Sequence, residues 1–230
     1  MADTLNIFFF ISQMLAALLL PLIILVVGMF IVSNIFKRAK QRTDNAQSMA
    51  AETGLTYVGA DSFHSIPGYQ YFRLFNLGSG YGRQIDNTVK GSKDGFKVSV
   101  FDYTYYETFS TRKIRKQTVV MIDSFRLNLP LFSLNPKGKG IFQKIGNAFI
   151  NDLKLSPSLS DKYLLFGTDK PRIEQIFDNK ALSYFDAVEG FTVEGGGSRI
   201  LFYRDEMLAA PNQQLWMIDE GMKIASLFAR

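Results

Sequence analysis

The chain has few residues with which to do chemistry. Its 230 residues include one histidine, His64, and no cysteine. A serine, imidazole and carboxylate relay would have to use His64, which lies in Asp61-Ser-Phe-His-Ser65, a loop-like run with no sharp elbow around a serine. A zinc centre needs several imidazole or thiolate ligands, and no acidic spacing follows a calcium loop. We therefore assign no catalytic residue, no cofactor and no metal. Asp102, Glu107, Asp123 and Asp205 sit on or beside predicted strands, where paired carboxylates can do acid/base work; solvated or salt-bridged acids are the plainer expectation. Gly78-Ser-Gly-Tyr-Gly-Arg83 is rich in glycine but lacks the Gly-Lys-Ser/Thr and following helix of a phosphate loop. Gly195-Gly196-Gly197 reads as a hairpin turn that needs positive φ.

Cations are the more informative group. Thr111-Arg-Lys-Ile-Arg-Lys116 places Arg112, Lys113, Arg115 and Lys116 at a predicted hairpin tip beside Tyr105, Tyr106 and Phe109. Such a cluster can meet anionic lipid, an acidic protein or RNA, or it can simply keep a tip soluble and block edge pairing. A second cluster, Lys37, Arg38, Lys40 and Arg42, accounts for much of the net charge of +5. From Thr43 onward 22 basic residues face 20 acidic ones, so the globular part is close to neutral and no nucleic-acid partner is expected.

The element that places this second cluster precedes it directly. Leu5 to Phe36 is a run of 32 residues without a charged or histidine side chain. A bilayer core of about 30 Å needs about 20 apolar residues as helix. Between Met14 and Val32 stand thirteen Leu, Ile, Val and Phe residues, which contribute on the order of −6 kcal/mol toward insertion. Pro21 and Gly28 reduce this without reversing it. The run is too long for a signal-peptide core, and no Lys or Arg precedes it. An uncleaved single span is expected, with residues 5–36 in the lipid bilayer and anionic headgroups near 37–42. Four cations within six positions follow it, and the positive-inside bias then places the N-terminus outside and the remainder in the cytoplasm of an inner membrane.

Three segments are expected: a transmembrane anchor over 1–36, a basic juxtamembrane helix over 37–54 closed by Gly54, and a soluble domain over 55–230. In the last, Leu55–Gly59 begins a strand and Phe72–Leu77 reads as another. Asp94-Gly95 closes a hairpin whose second arm alternates through Phe96, Val98 and Val100. Strands follow at Lys116–Asp123, Leu131–Leu134 and Lys162–Thr168, with a candidate helix over Lys139–Ile150. Helices begin near Pro171 and Ala181, a hairpin spans Phe191–Arg204, and a last helix over about Pro211–Phe228 presents Leu215, Ile218, Met222 and Ala225 on one stripe. Strand pairs interleaved with helices, without βαβ rhythm, predict an α+β fold with a mainly antiparallel sheet and several helices.

The runs GLTYVG, FRLFNLGSGYGRQIDNTVKG, GFKVSVFDYTY, QTVVMID, LPLFSLNP, YLLFGTD and FTVEGGGSRILFYR, placed after the span and its basic stop, resemble a group of uncharacterised bacterial single-span membrane proteins. The resemblance implies a fold and a membrane address, and brings no activity. Together these readings predict a membrane-anchored cytosolic domain that acts as a non-enzymatic interaction or scaffold module. The alternative is a membrane-bound hydrolase whose carboxylate site only folding assembles.

Overall fold

The computed structural model describes residues 2–78, 82–107, 113–137 and 153–229. They divide into two compact units, residues 1–44 and 45–230. The first is helical throughout: α1 runs unbroken over Ala2–Thr53 and includes Pro21. It is long and apolar enough to cross a membrane. The large apolar side chains described between Met14 and Phe36 are open to the surroundings, Phe30 at 69% and Phe36 at 70%.

The last turns of α1 belong to the globular unit, where Ala46, Met49 and Ala50 recur at helical spacing and are buried. The helix stops at Gly54, whose φ of +71° only glycine adopts without strain. Leu55 N–H then reaches back to the Ala50 carbonyl at 3.0 Å, a Schellman closure.

Beyond it the chain builds β1 (Thr56–Asp61), β2 (Gln84–Lys93), β3 (Phe96–Tyr106), β4 (Ile114–Asp123), β5 (Leu129–Pro136), β6 (Tyr163–Gly167), β7 (Thr192–Gly197) and β8 (Arg199–Tyr203). They form one eight-stranded sheet in the order β1-β2-β3-β4-β8-β7-β5-β6. Each pairing is antiparallel. Asp94 and Gly95, with φ of 52° and 80°, make the two-residue turn that joins β2 to β3. Four further helices are α2 (Pro157–Lys162), α3 (Lys170–Ile176), α4 (Asn179–Ala187) and α5 (Pro211–Phe228). Ser156, Asp169 and Asp178 cap the first three by accepting backbone N–H bonds. The α+β class with a mainly antiparallel sheet is therefore the observed one.

Strand alternation splits the core in two. Val98, Val100, Val120, Ile122, Ile200 and Phe202 face α5 and the shorter helices. Their sequence neighbours Phe101, Tyr103, Tyr105, Val119, Leu201 and Tyr203 face the other way, into a smaller cluster with Phe72, Leu74, Phe75 and Leu77. The aromatic second face of β3 is thus covered, as its composition predicts.

Three local expectations change. Phe72–Leu77 is not a strand: 3-10 turns occupy Tyr69–Tyr71 and Arg73–Asn76. Leu74 and Phe75 are both buried, which strand alternation would not allow on a half-covered layer. The glycine run is not a turn either. Gly195 and Gly196 lie inside β7, and only Gly197 has positive φ. A Cβ on Gly195 would stand 2.1 Å from the Phe132 ring, so the ring lies across the bare backbone. On α5, Ile218, Met222 and Ala225 of the expected stripe are buried, together with Met217, Gly221, Ile224 and Phe228, whereas Leu215 is half-buried. The buried face is wider than that stripe and only Leu215 lies at its edge; Gly221 lets the helix approach Val120, 3.0 Å from where a Cβ would sit. The candidate helix over Lys139–Ile150 lies outside the described residues.

Candidate functional site

The two predicted cation clusters differ in how they are used. Lys37, Arg38 and Lys40 are exposed on α1, and Arg42 is half-buried. At the β3–β4 tip, Arg112 and Phe109 lie outside the described residues. Arg115 is not a tip residue. It sits on β4 with only 9% exposure, because strand pleating turns it to the face opposite Ile114 and Lys116. Its guanidinium donates to Glu107 Oε2 at 2.7 and 3.1 Å and pairs also with Glu206. Across the ladder from it, Tyr105 is buried. Lys113 and Lys116 remain at the surface, beside exposed Ile114 and Leu208, around a concavity of about 590 Å³.

The acids also have structural occupations. Asp102 accepts from Thr118 Oγ1 at 2.9 Å and Asn87 Nδ2 at 3.1 Å, and Asp123 pairs with Arg199 at 2.9 Å. Each of Asp102, Glu107 and Asp123 therefore serves a different partner. His64 is exposed, with Nδ1 3.3 Å from Ser62 Oγ. The Asp61 carboxylate is directed to Ser62 N–H, Ser65 Oγ and Lys90, so it does not orient the imidazole. Arg83 donates to the Leu77 carbonyl at 3.2 Å, and Gln84 opens a strand; the glycine run before it is not followed by the helix a phosphate loop uses. Among the described residues, no group of three or more His, Asp or Glu is placed to hold a metal.

One titratable cluster was visible in the sequence only through Asp205. Glu194, on β7, is 1% exposed. Its carboxylate accepts from Arg73 N–H at 2.5 Å, Leu74 N–H at 3.0 Å and Tyr203 Oη at 2.5 Å. Burial raises its pKa to about 7, although these three donors favour the charged form. Asp205 is raised to about 6, also by burial, with the Arg73 guanidinium opposing. Glu194 ties the 3-10 layer to the sheet, with both oxygens engaged inside the fold. A lone Glu between Val193 and Gly195 was its only sequence signal.

On the other face a groove of about 790 Å³ opens where the β2–β3 turn, the β4–β5 turn, α4 and α5 meet. Lys93, Arg126, Lys180 and Lys223 stand around it, and Phe96, Met222 and Leu227 provide its apolar lining. Phe96 and Met222 are themselves buried. The Arg126 guanidinium lies 4.6 Å from the centre of the Phe96 ring, within cation–π range. Tyr184 donates to Glu220 Oε2 at 2.5 Å, and Lys223 donates to the other oxygen at 2.5 Å. These cations come from four separate elements, so no local motif announces them.

The fold has a solved counterpart. The chain resembles the crystal structure of the mycobacterial trehalose monomycolate transport factor A, with a TM-score of 0.53 and 15% identity over 81% of this chain and 92% of that one. At that identity the likeness concerns the fold. No family model matches the chain, and no curated protein does.

Proposed function

We propose that this chain is a membrane-tethered, non-enzymatic interaction module, in which α1 crosses the inner membrane once and the 45–230 unit works at the cytoplasmic face. One observation carries the reading: α1 continues without a break from 32 uncharged residues through Lys37–Arg42 into the last turns packed in the globular core. Apolar side chains exposed along this length suit lipid rather than water. The cations that follow suit anionic headgroups, at about 1 kcal/mol per charge close to the surface. The resemblance to bacterial single-span proteins gives the same address. The structural neighbour, a transport factor for trehalose monomycolate, is compatible with a module that assists handling of a membrane amphiphile rather than transforming one. Against the hydrolase alternative, Asp102, Glu107 and Asp123 are each occupied by partners within the fold, as is Glu194, and the charge of Asp205 is answered by the Arg73 guanidinium.

The partner face is assigned to Ile114 and Leu208 with Lys113 and Lys116, the exposed apolar and basic group at the β4 start. Photo-crosslinking amino acids at Ile114 and Leu208, in cells whose membranes are then washed with alkaline carbonate, test this directly. The chain is expected to stay with the membrane and to give a discrete adduct that Lys113→Glu/Lys116→Glu abolishes. Release into the wash contradicts the tether, and a retained chain without that charge-dependent adduct contradicts the partner face.

A further inference from the structure

We infer that the groove between α4, α5 and the β2–β3 turn binds the anionic headgroup of a membrane phospholipid, with the first carbons of the lipid against Leu227 and the edge of Met222. The inference deepens the membrane-tethered reading and rests on it for the source of the ligand. Four cations line the groove against Asp94, Asp219 and the adjoining Glu220, an excess of one positive charge. Two of the cations are already answered: Lys93 pairs with Asp219 at 2.9 Å and Lys223 with Glu220 at 2.5 Å. Arg126 and Lys180 form no ion pair with a described residue. They are the groups that complement an incoming anion, with Arg126 held in place over the Phe96 ring and able to bind a phosphate through two N–H groups.

The volume of about 790 Å³ falls within the usual range for one small-molecule ligand. A free inorganic anion would leave the apolar lining unused, whereas a fully apolar ligand would leave Arg126 and Lys180 uncompensated. A molecule charged at one end and apolar at the other satisfies both. Phospholipid is the amphiphile that a chain anchored in a bilayer meets at highest concentration.

The test uses the full-length chain in neutral detergent micelles with a phosphatidylglycerol that carries a photoreactive group near its headgroup. Crosslinks are expected on the peptides containing Phe96 and Met222–Leu227, displaced by unlabelled phosphatidylglycerol but not by phosphatidylcholine or inorganic phosphate. Each cation near an anionic group contributes a factor of about five, so Arg126→Glu/Lys180→Glu should raise half-saturation roughly twenty-five-fold or more. Lys180→Gln, at an exposed position without an ion pair among the described residues, should keep the wild-type melting temperature and raise half-saturation about fivefold. Labelling confined to Leu5–Phe36, displacement by phosphatidylcholine or inorganic phosphate alone, or wild-type labelling of the folded Gln variant would each overturn the groove assignment. None of those results touches the tether, which the carbonate wash tests separately.

Discussion

Glu194 is where residue chemistry and fold stability meet most closely. Its carboxyl holds two backbone N–H groups of the 3-10 layer and the Tyr203 hydroxyl, so its protonation is linked to folding. A free glutamate titrates near 4.5, and the folded one near 7. Between those values the folded chain keeps a proton that the unfolded chain has released. Stability must therefore fall as pH rises through this window, by about 3 kcal/mol in total. Asp205, raised to about 6, adds a slope of the same sign at lower pH. Urea denaturation from pH 5 to 8 should show the decline. Glu194→Gln should lose most of the slope between pH 6 and 8 and, at pH 5, cost about 1–3 kcal/mol because an amide nitrogen then faces buried donors. A variant that keeps the wild-type slope would contradict the assignment. Arg115 teaches a related lesson. A basic residue in a basic run is legible as charge, but its two carboxylate partners, Glu107 and Glu206, come from a strand end and a distant turn. Nothing local to Arg112–Lys116 reveals that Arg115 faces inward.

At the scale of elements, the end of α1 matters most. Ala46, Met49 and Ala50 are buried in the larger core, so the globular unit includes the helix from Asn45 onward. A fragment that starts at Leu55 loses the buried Met49 side chain and the Gly54 closure. It should be less stable than a 45–230 fragment by about 3 kcal/mol, as read from the urea midpoints of the two. Equal midpoints would show that those helical turns are ornamental to the fold. The helix and its glycine stop were legible because periodicity and a C-terminal glycine are local signals. The hairpin at Asp94-Gly95 was legible for the same reason. The 3-10 layer was not, since what makes Phe72–Leu77 bend is a carboxylate on β7, more than a hundred residues away. Gly195 was misread because its reason, the Phe132 ring across the neighbouring strand, is tertiary.

For the whole molecule, composition located the long apolar run and the nearly neutral domain, and strand-helix alternation gave the α+β class. Pairing order was beyond it: β8 inserts beside β4 and β5 ends up between β7 and β6, arrangements fixed by long-range burial rather than by local pattern. The groove was equally hidden, because Lys93, Arg126, Lys180 and Lys223 converge only when four elements pack. We propose that the apolar helix crosses the membrane once and that the globular unit stands at the cytoplasmic face. The chain has no cysteine, so single cysteines report accessibility without background. In intact bacterial cells, a membrane-impermeant maleimide should label Asp3→Cys. Phe125→Cys, at a position 91% exposed on the globular unit, should be labelled only after the inner membrane is opened. Labelling of Phe125→Cys in intact cells, with Asp3→Cys protected, would contradict the account.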